Sequence, residues 1–142
     1  MQAKVEWVEK VQFEATGGSG HCVALDGPSE SGGTNAGSRP MELLLMGVGG
    51  CTAYDVITIL AKSRQNVSTC TAEVSAVRSD AVPAVFESIH VHFRISGENL
   101  EESKVARAIA LSADKYCSAS IMLARAGVAM SHDYTIEEGQ SD

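Results

Sequence analysis

Two of the four cysteines stand where a thiol could act as a reagent. Cys51 follows a glycine pair in PMELLLMGVGGCTAY, residues 40–54, and Cys117 lies in ADKYCSAS, residues 113–120. Buried cysteine behaves as a small hydrophobe, whereas a cysteine held as thiolate attacks electrophiles. Gly49-Gly50 could interrupt a helix and leave Cys51 at a new N-terminus, where the dipole favours the thiolate. Cys117 is placed comparably, at a junction beside the cap candidate Ser118. Two cysteines at helix starts could form a redox couple, and a plain core role for Cys51 stays open beside it.

The other chemistry-bearing residues read as structural. Cys22 and Cys70 sit inside strand patterns. The cysteine gaps of 29, 19 and 47 contain no C-x-x-C, so free thiols are expected, with no metal site and no cofactor. His90 and His92 share a strand face opposite Ile89, Val91 and Phe93 and read as solvated, and no third ligand lies near them in sequence. Glu98, Glu101 and Glu102 open a helix, where carboxylates suit the dipole.

The elements that must position the two cysteines follow from periodicity. Residues 3–15 alternate, with Val5, Trp7, Val11 and Phe13 on one face, which is the period of half-buried strand. A short third strand follows in HCVAL, residues 21–25, and the turn residues Asp26-Gly27-Pro28 lead into a loop over 28–39 that is expected to be mobile. A helix is expected over 40–64. Fourteen of the twenty-one residues from Met41 to Ala61 are apolar. A surface helix needs only about three in seven, so this one should be enclosed on most sides. Strands over 67–78 and 85–95, a second helix ending near Cys117, a short third helix capped by Ser118 and a last strand over 128–136 complete the order β-β-β-α-β-β-α-α-β. This is an α+β chain with mostly antiparallel sheet.

One small sheet covers one side of a helix. An all-apolar helix therefore needs a second cover, and a two-fold copy of the same chain supplies it at least cost. A homodimer with a buried central helix is expected. The 142 residues, 44% hydrophobic, suit a single domain, 1–142. Eleven basic against eighteen acidic residues give a net charge of −7, which argues against nucleic acid and anionic membrane surfaces as partners. The N-terminal residues MQAKVEWVEK lack an export signal, and the longest uncharged apolar run, 43–54, is short for a transmembrane helix, so a cytoplasmic protein is expected.

The stretches SRPMELLLMGVGGCTAYDVI and ADKYCSASIMLARA, with the element order, resemble the OsmC/Ohr superfamily and most closely its YhfA-like branch. The resemblance implies an intertwined OsmC-like dimer. It also implies that Cys51 attacks an organic hydroperoxide and becomes a sulfenic acid, that Cys117 condenses with it to a disulfide, and that an external dithiol restores the pair. This makes a peroxidase-like protein of oxidative stress defence the expected function. The chain departs from the peroxidase pattern at two points. No arginine precedes Arg39, and Met41 stands where those members carry a glutamate. Glu42 is nine residues before Cys51, about 180° round a straight helix, and Arg39 is the remaining candidate to supply a supporting charge. The alternative expectation is therefore a dimeric module, weakened in catalysis, that binds a small apolar ligand. A third is a structural dimer with core cysteines.

Overall fold

A computed structural model describes residues 1–138. The described residues pack as two compact units, Met1–Leu44 and the chain from Leu45 onward.

In the first unit, β1 (Ala3–Glu9), β2 (Gln12–Gly17) and β3 (Cys22–Leu25) form an antiparallel sheet in that order. Alternation sets the register: Val5 faces Ala15, Trp7 faces Phe13, and Ala15 faces Val23. This apolar face is not half-buried as its period suggests. Val5 is 58% exposed, Trp7 66% and Phe13 38%, so the first unit does not cover this face itself.

Composition does not show what holds the 28–39 loop. The buried Asp26 carboxylate accepts the backbone N–H groups of Gly27, Thr34 and Ala36 at 2.7, 3.0 and 3.0 Å, the Thr34 hydroxyl at 2.9 Å and the Gln12 amide at 3.3 Å. These donors hold its pKa well below the ordinary carboxylate range, the Ala36 N–H first among them and outweighing burial. A single bridge pairs Leu25 with Ser38. Gly37 allows that closure, because a Cβ there would come 2.6 Å from the Ala24 carbonyl oxygen.

Helix α1 (Pro40–Lys62) starts on Pro40, whose missing N–H costs nothing at a first helical position. The Glu42 carboxylate reaches back to accept the Arg39 N–H at 2.9 Å, half of a capping box. The helix runs unbroken through Gly49-Gly50, so Cys51 is mid-helix and not at a new N-terminus. Gly49 serves approach, not interruption: a Cβ there would lie 3.0 Å from Val74 Cγ2.

In the second unit, β4 (Asn66–Arg78) and β5 (Phe86–Glu98) form a long antiparallel pair, and β6 (Ala129–Glu138) adds to β5 in parallel. The parallel partner follows from the helical crossover that separates the two strands. Between them run α2 (Glu102–Leu111), a π-helical turn over Ser112–Tyr116, and α3 (Ser118–Arg125). Period two buries Ile89, Val91, Phe93 and Ile95 of β5, each at most 3% exposed. Val105, Ala108 and Ile109 of α2 are buried as well.

Only the stripe Val48, Gly49, Thr52, Val56 and Leu60 of α1 is buried. Met46, Tyr54 and Ile57 remain 55%, 74% and 39% exposed, so a single chain does not enclose the helix on most sides. By length and composition alone Pro40–Lys62 could cross a membrane, a test that the core helix of a soluble protein passes equally.

Candidate functional site

Three elements bring the thiols together. Cys51 projects from the middle of α1, and Asp55 lies one turn further along the same face. Cys117 follows the π turn, where its backbone N–H donates to the Ser112 carbonyl at 2.8 Å. The sulfurs of Cys51 and Cys117 and a carboxylate oxygen of Asp55 lie within 4.8 Å of one another. Cys117 is fully buried, Cys51 and Asp55 partly so. All four cysteines are free thiols.

The expected helix continuing to Cys117 gives way to the wider π turn, which is what turns the chain so that Cys117 itself caps α3. Its Sγ accepts the Ser120 N–H at 3.4 Å, and Ser118, the expected cap, is instead the first helical residue. The helix-start environment read for Cys51 thus belongs to Cys117. Burial nevertheless dominates there and pushes the Cys117 thiol above its ordinary range. Ser120 opposes this shift, and the neighbouring Cys51 thiol adds to it.

Sequence reasoning missed Asp55 and Ser112. The Ser112 hydroxyl, 1% exposed, lies 3.3 Å from the Thr52 carbonyl and 3.2 Å from Asp55 Oδ2, both as donor. For Asp55 the signal was available, since Cys51 and Asp55 are four apart. For Ser112 it was not, because a π turn has no period to read. Arg39 and Glu42 engage each other at the helix start, and the Arg39 guanidinium donates to the Gly37 carbonyl at 3.0 Å. Cys22 and Cys70 lie on strands, as read.

Two cavities are lined by neighbours of the pair, though by neither cysteine itself. One of about 490 Å³ is lined by Thr52, Ser112 and Ser120, by apolar residues such as Val91, Phe93 and Ile121, and by the polar Asp114, Arg125 and His132. The other, about 460 Å³, includes Asp55 with Ile59, Lys62, Arg107 and Tyr116. His90 and His92 share the β5 face as read, and β6 adds the carboxylate that sequence proximity did not reveal. Asp133 Oδ1 lies 2.8 Å from His90 Nε2 and 2.7 Å from His92 Nδ1, contacts that lower the Asp133 pKa.

The family model for OsmC-like proteins matches residues 33–133. The chain belongs to the OsmC-like family. It is 44% identical to protein YhfA of Escherichia coli K12 over 136 residues, covering 96% of this chain and 98% of YhfA. A crystal structure of a hypothetical protein from Aquifex aeolicus VF5 superposes with a TM-score of 0.79 at 28% identity, covering 96% of each chain. The organic hydroperoxide resistance protein OhrB of Bacillus subtilis shares the fold at a TM-score of 0.61 and 17% identity, over 95% of this chain and 98% of OhrB. The OsmC-like α+β fold expected from the sequence is thereby established.

Proposed function

We propose that this OsmC-like protein is a thiol-dependent reductant of organic hydroperoxides, acting as a homodimer in the cytoplasm. The observation that carries the proposal is the convergence of Cys51 and Cys117 within 4.8 Å on a partly buried site. Cys51 thiolate attacks the outer oxygen of ROOH, the O–O bond breaks, and the alkoxide leaves and takes a proton as ROH, giving Cys51 sulfenic acid. Cys117 then attacks that sulfur, water leaves, and a disulfide joins the two. An external dithiol reduces it, restoring both thiols and becoming a disulfide itself.

The cavity beside Ser112 and Ser120, where Val91, Phe93 and Ile121 supply apolar wall and Arg125 and His132 polar wall, suits the alkyl or aryl group and the polar head of a peroxide. The dimer is supported by the uncovered apolar face of α1 and of the first sheet. Mixing reduced protein with cumene hydroperoxide and excess dithiothreitol is expected to consume peroxide catalytically, and Cys51→Ser to abolish it. Turnover unchanged in Cys51→Ser would reject the proposal.

Two observations favour a second reading, a dimeric module that binds a small apolar ligand without turnover. Glu42 is occupied in capping α1, and burial pushes the Cys117 thiol up, so neither group promotes thiolate chemistry. This reading expects Cys51→Ser to bind an apolar dye as the wild type does while neither protein turns over peroxide.

A further inference from the structure

We infer that Cys51, Cys117 and Asp55 together form a three-ligand site for a borderline-soft divalent cation, Zn²⁺ being the best match, which competes with disulfide formation for the same two sulfurs. The sequence carries no zinc spacing, and the site exists only because α1 and the π turn converge.

Among the described residues, this is the one set of three Cys, His, Asp or Glu side chains whose ligand atoms approach so closely. Tetrahedral zinc with Zn–S of about 2.3 Å and Zn–O of about 2.0–2.2 Å needs its ligand atoms roughly 3.5–3.8 Å apart. A limit of 4.8 Å therefore leaves at most about 1.3 Å of contraction, within reach of side-chain rotation. Two ligands come from one rigid helix four residues apart, so they share a face, and the third comes from the cap of another helix.

The surroundings are those of metal ligands. The Ser112 hydroxyl, donating to Asp55 Oδ2, fixes the carboxylate and leaves its other oxygen free. The Ser120 N–H donates to Cys117 Sγ, as outer-shell donors do for ligating thiolates. Two sulfurs and one oxygen select zinc over the hard cations magnesium and calcium, which prefer all-oxygen sets. Three protein ligands leave a fourth position for water, and the cavity that includes Asp55 offers a way in. Binding ties up both sulfurs, so a zinc-loaded site cannot close a disulfide and an oxidised site cannot hold zinc.

The test uses the full chain, reduced and freed of metal, titrated with Zn²⁺ by calorimetry and with Co²⁺ by absorbance. One metal per chain is expected, with the thiolate-to-cobalt charge-transfer band in the near ultraviolet. Cys51→Ser should weaken zinc at least ten-fold, and Asp55→Asn should weaken it as well. Cys22→Ser and Cys70→Ser should leave it unchanged. Should Cys51→Ser misfold, alkylating Cys51 in the folded wild type provides the same comparison. No saturable binding, or equal binding after Cys51 is blocked, would overturn the inference, as would loss of binding in a His90→Ala variant. The inference is independent of peroxide chemistry. Zinc binding without turnover would sink the peroxidase proposal alone, and turnover without zinc binding would sink this one alone.

Discussion

The Ser112 hydroxyl donates to Asp55 Oδ2 across 3.2 Å, joining the π turn that precedes Cys117 to the helix that carries Cys51. The same hydroxyl lies 3.3 Å from the Thr52 carbonyl. One buried serine thus ties together the two elements whose spacing decides whether the thiols can meet.

Ser112→Ala is expected to lower stability by about 0.5–1.5 kcal/mol, the net worth of one lost hydrogen bond. It should also slow disulfide formation between Cys51 and Cys117. Thermal denaturation by circular dichroism measures the first effect, and stopped-flow oxidation with cumene hydroperoxide measures the second. An unchanged melting temperature together with an unchanged oxidation rate would show that the serine does not set the spacing.

Asp26 makes stability depend on acidity. Its carboxylate is held well below the ordinary range, so the stability it contributes is fully present above the ordinary carboxylate pKa of about 3.9 and is lost as pH falls from there toward its native value. Asp26→Asn should be less stable than the wild type at pH 7, and the gap should narrow below about pH 4. Urea titrations of both proteins across that range check the sign. A gap that widens in acid would contradict the assignment.

The exposed stripe Met46, Tyr54 and Ile57 of α1 is expected to lie in a homodimer interface. Fully burying such side chains contributes about 1.5–3 kcal/mol each. Light scattering should give twice the mass of one chain for the wild type at micromolar concentration, and a Met46→Lys, Ile57→Lys double variant should shift toward monomer. A wild type with the mass of a single chain would remove the dimer.

Cys117 and Cys70 contribute to the alkaline limb. Burial raises both thiols, so both stay neutral in the fold at a pH where the unfolded chain would ionise them. Their contribution is fully present below the ordinary thiol pKa of about 8.5 and is lost as pH rises through their native values. Denaturation between pH 8 and pH 10 should show stability falling, and Cys70→Ala should flatten part of the decline.

Much of the architecture was legible because it rests on period. Alternation in β5 gave its buried face, and Val105 and Ile109 gave that of α2. The apolar surplus of 41–61 correctly marked a helix with more apolar surface than one sheet can cover. What failed was local. Gly49-Gly50 looked like a break because glycine permits one, yet Gly49 is there to let α1 approach Val74. Ser118 looked like a cap because hydroxyls usually are, yet the π turn shifted the register by one residue and gave the role to Cys117. Asp55 escaped notice because a lone carboxylate on an apolar helix gains meaning only when Cys117 arrives from elsewhere in the chain.

The pairing of Cys51 with Cys117 is tested most directly by treating the reduced protein with one equivalent of cumene hydroperoxide, blocking free thiols, and mapping peptides by mass spectrometry without reduction. A Cys51–Cys117 disulfide is expected, with Cys22 and Cys70 recovered as alkylated thiols. Recovery of Cys51 and Cys117 as free thiols, or a disulfide joining either of them to Cys22 or Cys70, would contradict the redox pair.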